Sequence, residues 1–148
     1  MDSKFIWILI ALASGAVLPI QAGFNARMGK AISSPVYGAL ISFAVGTIIL
    51  IGYVIVTQQS VTWSGLKNVP AVTWLAGLLG AFYVTVIILA YPRLGPALTF
   101  GLVIAGQMLV ALFLDHFNIL VAEQHSINIW RVIGVILILV GVFIIRKF

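Results

Sequence analysis

The chain has 148 residues, 63% hydrophobic and 7% charged, with a mean hydropathy of +1.24 and a net charge of +5. A soluble domain carries about 25% charged residues, so this chain could not cover a water-facing surface, and its basic residues are scattered between apolar runs rather than gathered into a nucleic-acid patch. The absence of cysteine removes disulfides, thiolate catalysis and thiolate metal sites; His116 and His125 alone do not make a metal centre, and no metal or cofactor is expected.

What remains is an all-α polytopic membrane protein, because a spanning backbone must satisfy its own hydrogen bonds and the runs are too long and continuous for a β-barrel. The first span is expected over Phe5 to Phe24, after Asp2 and Lys4. Its apolar character outlasts a signal-peptide core and no A-x-A site follows, so it reads as uncleaved. It leads into 12-LASGAVLPIQAGFNARMG-29. Pro19 there should free the carbonyl near Gly15 and kink or break the helix. Gln21 and Asn25 stand one turn apart on one side of it. Hydrocarbon penalises both amides unless they find partners. Either they line a cavity beside a local break, as in transporters, or Gln21 bonds a neighbouring helix and Asn25 lies at the headgroups with Arg27.

The second span is expected over Ser34 to Val56, ending at Thr57-Gln58-Gln59-Ser60. Lys67, Asn68 and Pro70 precede the third, Ala71 to Ala90. A short turn, Tyr91-Pro92-Arg93-Leu94-Gly95-Pro96, leads to the fourth, Ala97 to Leu114. Asp115 to His125 forms a polar connector, and the fifth runs from Ile127 to Ile145 before Arg146-Lys147-Phe148. Each run is near the roughly 20 residues that cross a bilayer. Arg131, one turn inside the fifth, can snorkel to the interface.

Five spans put the termini on opposite sides. Lys4, Lys67 and Arg131 fall on one side; Arg27, Lys30, Arg93, Arg146 and Lys147 fall on the other. The positive-inside rule favours N-out and C-in, but the bias is small enough that insertion both ways is also expected.

Small residues recur every four positions: Ala11, Gly15, Pro19 and Gly23; Gly38, Ser42 and Gly46; Thr73, Gly77 and Ala81; Ala97, Gly101 and Ala105. Such faces let membrane helices approach closely. In the fifth span, Gly134 and Gly141, seven apart, suggest one groove contact on an otherwise lipid- or subunit-facing helix. Gln107 stands mid-span in the fourth helix and needs a partner or water; Tyr83 and Thr99 offer hydroxyls. Trp7, Trp63, Trp74 and Trp130 lie near helix ends, as an aromatic belt would place them.

The carboxylates are Asp2, Asp115 and Glu123, none at a span centre. If a proton is exchanged, Asp115, beside His116, is the group with any depth; otherwise it is a helix-end residue meeting water or Arg131. No hydrolase triad, phosphate-binding G-x-x-x-x-G-K-S/T loop or H-E-x-x-H motif is present, so no enzyme is expected.

The stretches 18-LPIQAGFNARMG-29, 35-PVYGALISFAVGT-47, 75-LAGLLGAFYVTVIILAYPRLGPALTF-100 and 106-GQMLVALFLDHFN-118 resemble the drug/metabolite transporter superfamily, and within it the YdcZ family of small inner-membrane proteins grouped as exporters. The family pattern usually has glycine after D-H-F; Asn118 stands there, and both residues accept a left-handed turn. The resemblance implies a compact unit in the inner membrane, half the size of ten-span members whose two inverted halves enclose a cavity. A half-size chain could restore that arrangement by pairing antiparallel with itself or with a homologue. The central carboxylate of small multidrug exporters has no counterpart at Ala13, Ser14 or Gly15, so coupling is not expected to depend on one. The expected function is export of a small metabolite or amphipathic compound by a dimer lined by Gln21, Asn25, Tyr83 and Gln107. The alternatives are a non-transporting scaffold or accessory subunit, with those groups as interhelical glue, and, with less support, a channel.

Overall fold

The computed structural model describes residues 3–148; Asp2 lies outside them. Five long helices follow one another: α1 Ser3–Ala31, α2 Pro35–Thr57, α3 Leu75–Leu94, α4 Pro96–Phe117 and α5 Ile129–Lys147. All five spans are long and apolar enough to cross a membrane, and no strand occurs among the described residues. The protein is an all-α polytopic membrane protein.

The helix ends differ from the sequence expectation for local reasons. α1 continues past Phe24 to Ala31, since Ala, Arg, Met and Lys all favour helix. Its 29 residues span about 44 Å at 1.5 Å each, longer than the roughly 30 Å hydrocarbon core, so part of it must reach beyond the apolar layer. Pro19 lies inside α1, as the span boundaries expect, and the helix continues through it without the local break that one of the two readings required. The carbonyl four residues back, of Gly15, has no N–H to accept from at Pro19; membrane helices tolerate such a site.

The expected turn at Tyr91 is also absent. α3 runs through Pro92 to Leu94, and Gly95 alone separates it from α4. Gly95 has φ 77° and ψ 164°, a conformation only glycine takes readily. Pro96, at the first position of α4, needs no hydrogen-bonded N–H there. A 3₁₀ turn over Trp63–Asn68 lies in the preceding connector, and a second over Ala71–Trp74 opens the third span before α3 becomes regular.

The other caps follow from single residues. Ser34 Oγ accepts the Tyr37 N–H at 3.4 Å, with Pro35 opening α2. Asn128 Oδ1 accepts the Arg131 N–H at 3.0 Å and caps α5. α4 ends at Asn118, φ 54° and ψ 41°, and both the Asn118 and Ile119 amides donate to the Leu114 carbonyl. Asparagine thus fills the left-handed role glycine would take.

The helices form two compact units, Met1–Pro92 and Arg93–Phe148. In the first, α1 packs on α2 through Ala22, Asn25 and Gly29 against Gly38 and Ala39, all buried. A Cβ added to Gly38 would stand 3.0 Å from Gly29 Cα and N and 3.2 Å from the Asn25 carbonyl oxygen. α3 reaches this pair through large side chains: Tyr91 lies over Gly23, Ile88 over Gly29, and Phe43 of α2 rests on Gly80. In the second unit α4 packs on α5. Gly101 receives Val142, with Ala105 and Val135 also buried. The seven-residue spacing on α5 is therefore carried inward by Val135 and Val142, one residue beyond Gly134 and Gly141, which meet no neighbour within 4 Å. Large apolar side chains face outward along every long helix, the surface that lipid or a partner chain covers. The tryptophans are exposed as well, Trp130 by 77%, as expected of belt anchors.

Candidate functional site

The four polar residues expected to line a cavity fall in different settings. Gln21 is exposed on α1, and Asn25, one turn later, is 5% exposed inside the α1–α2 seam. Four residues turn a helix by about 400°, not 360°. That offset leaves Gln21 beside the stripe that Ala22, Asn25 and Gly29 bury, so the two amides do not share an open face. Tyr83 is half-buried on α3 in the same unit. Gln107 belongs to the second unit, exposed on α4. It sits about a third of a turn round the helix from the Gly101–Ala105 seam, away from α5. Neither glutamine side chain has a hydrogen-bond partner among the described residues. Bonding within the chain does not account for them.

Thr99 adds a group whose significance is clear only in three dimensions. Three other intramembrane hydroxyls turn back onto their own helix: Ser14 Oγ donates to the Ala11 carbonyl at 2.8 Å, Thr47 to Phe43 at 2.8 Å and Thr57 to Tyr53 at 2.7 Å. Thr99 is 2% exposed, and its Oγ1 has no partner. An unsatisfied buried hydroxyl costs about 1–3 kcal/mol.

The far end of α4 is the most connected polar region. Arg131 Nη2 donates to Asp115 Oδ2 at 2.6 Å, while Nη1 donates to the His125 carbonyl at 2.6 Å. The His125 amide donates to the Asp115 carbonyl at 3.3 Å, and Gln124 Nε2 donates to the His116 carbonyl at 2.8 Å. His116 Nδ1 accepts the Ile127 N–H at 3.3 Å, and the His116 ring stands edge-on to Phe117. The connector is thereby folded over the ends of both helices. Opposite charges flanking a connector were visible in the sequence; the parts played by Gln124 and His125 were not, since they depend on the connector's path. Below the ion pair, α4 and α5 part around a hollow of about 250 Å³, with Ala111 and Gly134 at its waist and Met108 and Ile138 at its lower end.

Asp115→Ala should therefore destabilise the α4–α5 hairpin by about 1–3 kcal/mol, the usual worth of a hydrogen bond to a charged group. Arg131→Ala should cost at least as much, because it also releases the His125 carbonyl. Denaturant unfolding of the purified protein measures both, and the double variant should cost less than the sum.

The chain matches, over residues 6–144, the family described as "Putative inner membrane exporter, YdcZ". It is 26% identical over 152 residues to "Inner membrane protein YdcZ" of Escherichia coli (strain K12), covering 98% of this chain and 97% of that protein. No solved structure matches it. The family match spans nearly all of five helices that could each cross a bilayer: the chain belongs to the YdcZ family and is a multi-pass protein of the inner membrane.

Proposed function

We propose that the chain is a secondary transporter that exports a small metabolite or amphipathic compound by alternating access in an antiparallel dimer, with itself or with a homologue. The observation that carries this reading is the exposure of Gln21 and Gln107 within spans, without hydrogen-bond partners among the described residues. Hydrocarbon penalises such amides, whereas substrate, water or a second chain would satisfy them. Tyr83 in the first unit and the Thr99 hydroxyl in the second, which has no partner among the described residues, are further polar groups within spans. Asn25, held in the α1–α2 seam, serves that packing instead.

Asp115 and His116 are assigned to holding the connector rather than to carrying a proton, because each is already engaged: the carboxylate by Arg131 and the imidazole Nδ1 by a backbone amide. The outward-facing apolar surface and the near-balanced basic residues support a paired assembly in which each orientation is used.

Cysteines placed near each terminus and labelled from one side of intact cells test the assembly. The expected outcome is partial labelling of both ends from the same side. Two or three lysines added to the Lys67 loop should shift the chain to one orientation. That variant alone should lose transport and regain it with an oppositely biased partner. Uniform C-in labelling together with a monomeric purified protein would contradict the dimer. A scaffold would leave transport absent throughout.

A further inference from the structure

The hollow between α4 and α5 is built differently at its two ends. Gly101 meets Val142 at one end of the hairpin and Asp115 meets Arg131 at the other, so the helices run antiparallel. From Asp115 down to Met108 the groove is about 10 Å long at 1.5 Å per residue. Its walls there are hydrocarbon, and its volume of about 250 Å³ far exceeds the ~30 Å³ share of one water. The groove is partly open to the surroundings, where the bilayer core offers hydrocarbon rather than water. Gly134 keeps the α5 wall open, since a Cβ there would meet nothing within 4 Å.

The charged end is a neutral, dipolar pair, with the Arg131 and Asp115 side chains 31% and 26% exposed. Asp115 Oδ2 is taken by Arg131, and Oδ1 accepts no hydrogen bond among the described residues. Arg131 spends Nη1 and Nη2 on His125 and Asp115, leaving its Nε–H. A guanidinium is a natural partner for phosphate, and a carboxylate oxygen can take a further N–H. Helix polarity points the same way. Arg131 lies in the first turn of α5, which attracts anions, and Asp115 lies in the last turns of α4, which attract cations. A simple anion or a simple cation would meet one partner and one opponent. A head group bearing both charges meets two partners.

We propose that this groove is a binding site for a zwitterionic phospholipid with a primary ammonium group. One acyl chain lies in the hollow between α4 and α5, and the head group sits across Asp115 and Arg131, its phosphate toward the arginine and its ammonium toward the carboxylate. A primary ammonium is specified because Asp115 Oδ1 needs an N–H donor, which a quaternary head lacks. The site does not depend on the transport reading, and its test uses no flux.

The test is native mass spectrometry of the full chain in detergent micelles, with phosphatidylethanolamine, phosphatidylcholine and phosphatidylglycerol of identical acyl chains supplied at equal amounts. The expected result is that phosphatidylethanolamine is retained over each of the others by about tenfold, the loss of one hydrogen bond to a charged group. Gly134→Leu should abolish retention of all three by filling the hollow. Ala111→Leu fills the same waist from the other helix and serves if the first variant does not fold. Asp115→Asn with Arg131→Gln should keep acyl-chain binding but lose the preference. Equal retention of the three lipids by the natural chain would overturn the proposal, as would selective retention that survives filling the hollow. A filled hollow that changes only the dimer fraction, with lipid binding intact, would assign the groove to a second copy of the chain and equally overturn it.

Discussion

Replacing Gly38 by leucine should prevent α1 and α2 from closing on each other. The added Cβ alone would stand 3.0 Å from Gly29 Cα and N and 3.2 Å from the Asn25 carbonyl oxygen. These neighbours are backbone atoms, which cannot rotate away as a side chain can. Gly38→Ala should already cost about 1–3 kcal/mol, the usual range for overpacking; leucine adds three carbons to a site with no room for the first. Gly46 and Gly52 on the same helix meet nothing within 4 Å, so alanine there should change stability by less than about 0.5 kcal/mol. Thermal unfolding of the purified variants, followed by loss of helical circular dichroism, separates the positions. If Gly38→Ala unfolds like Gly46→Ala, the close crossing of α1 and α2 is wrong.

Replacing Gln107 by leucine should remove most transport while leaving the folded protein intact. The substitution nearly keeps volume and removes only the donor and acceptor. Because the amide is exposed and makes no hydrogen bond among the described residues, its loss should change the unfolding free energy by less than about 0.5 kcal/mol. A group that touches the transported molecule where the barrier is highest affects rate directly. One hydrogen bond of about 1.4 kcal/mol is tenfold, so flux should fall by about tenfold. Interhelical glue between two chains would show the reverse pattern, a stability or dimerisation loss averaging about 0.6 kcal/mol. Reading flux, unfolding and oligomeric state on the same preparation distinguishes the two.

The number and order of spans were legible because hydropathy reports burial in lipid regardless of how the helices pack. The left-handed end at Asn118 was legible too, since few residues tolerate that conformation. A proline misled at one place: Pro92, read as part of a turn, lies within α3, within a few residues of its end. Pro19 lies within α1, inside the span expected for it. Burial was harder to read. Helical periodicity put Gln21 and Asn25 on one side, yet the seam passes through one and beside the other. The same fine register moved the α5 contacts from Gly134 and Gly141 to Val135 and Val142. The unpartnered state of Thr99 and the fold of Gln124 and His125 over the α4–α5 ends depend on three-dimensional neighbours and leave no local pattern in the chain.

The most direct measurement is flux into proteoliposomes that contain the purified protein with both orientations present. A panel of labelled small metabolites and amphipathic compounds is screened against the natural chain and a folded, dimeric Gln21→Leu/Gln107→Leu variant. The account predicts saturable movement of at least one compound by the natural chain and its loss in the double variant, with thermal stability nearly unchanged. A compound moved equally well, and with equal affinity, by the double variant would show that neither amide touches it. That result would contradict the central claim that these intramembrane amides, unpartnered among the described residues, contact the transported molecule.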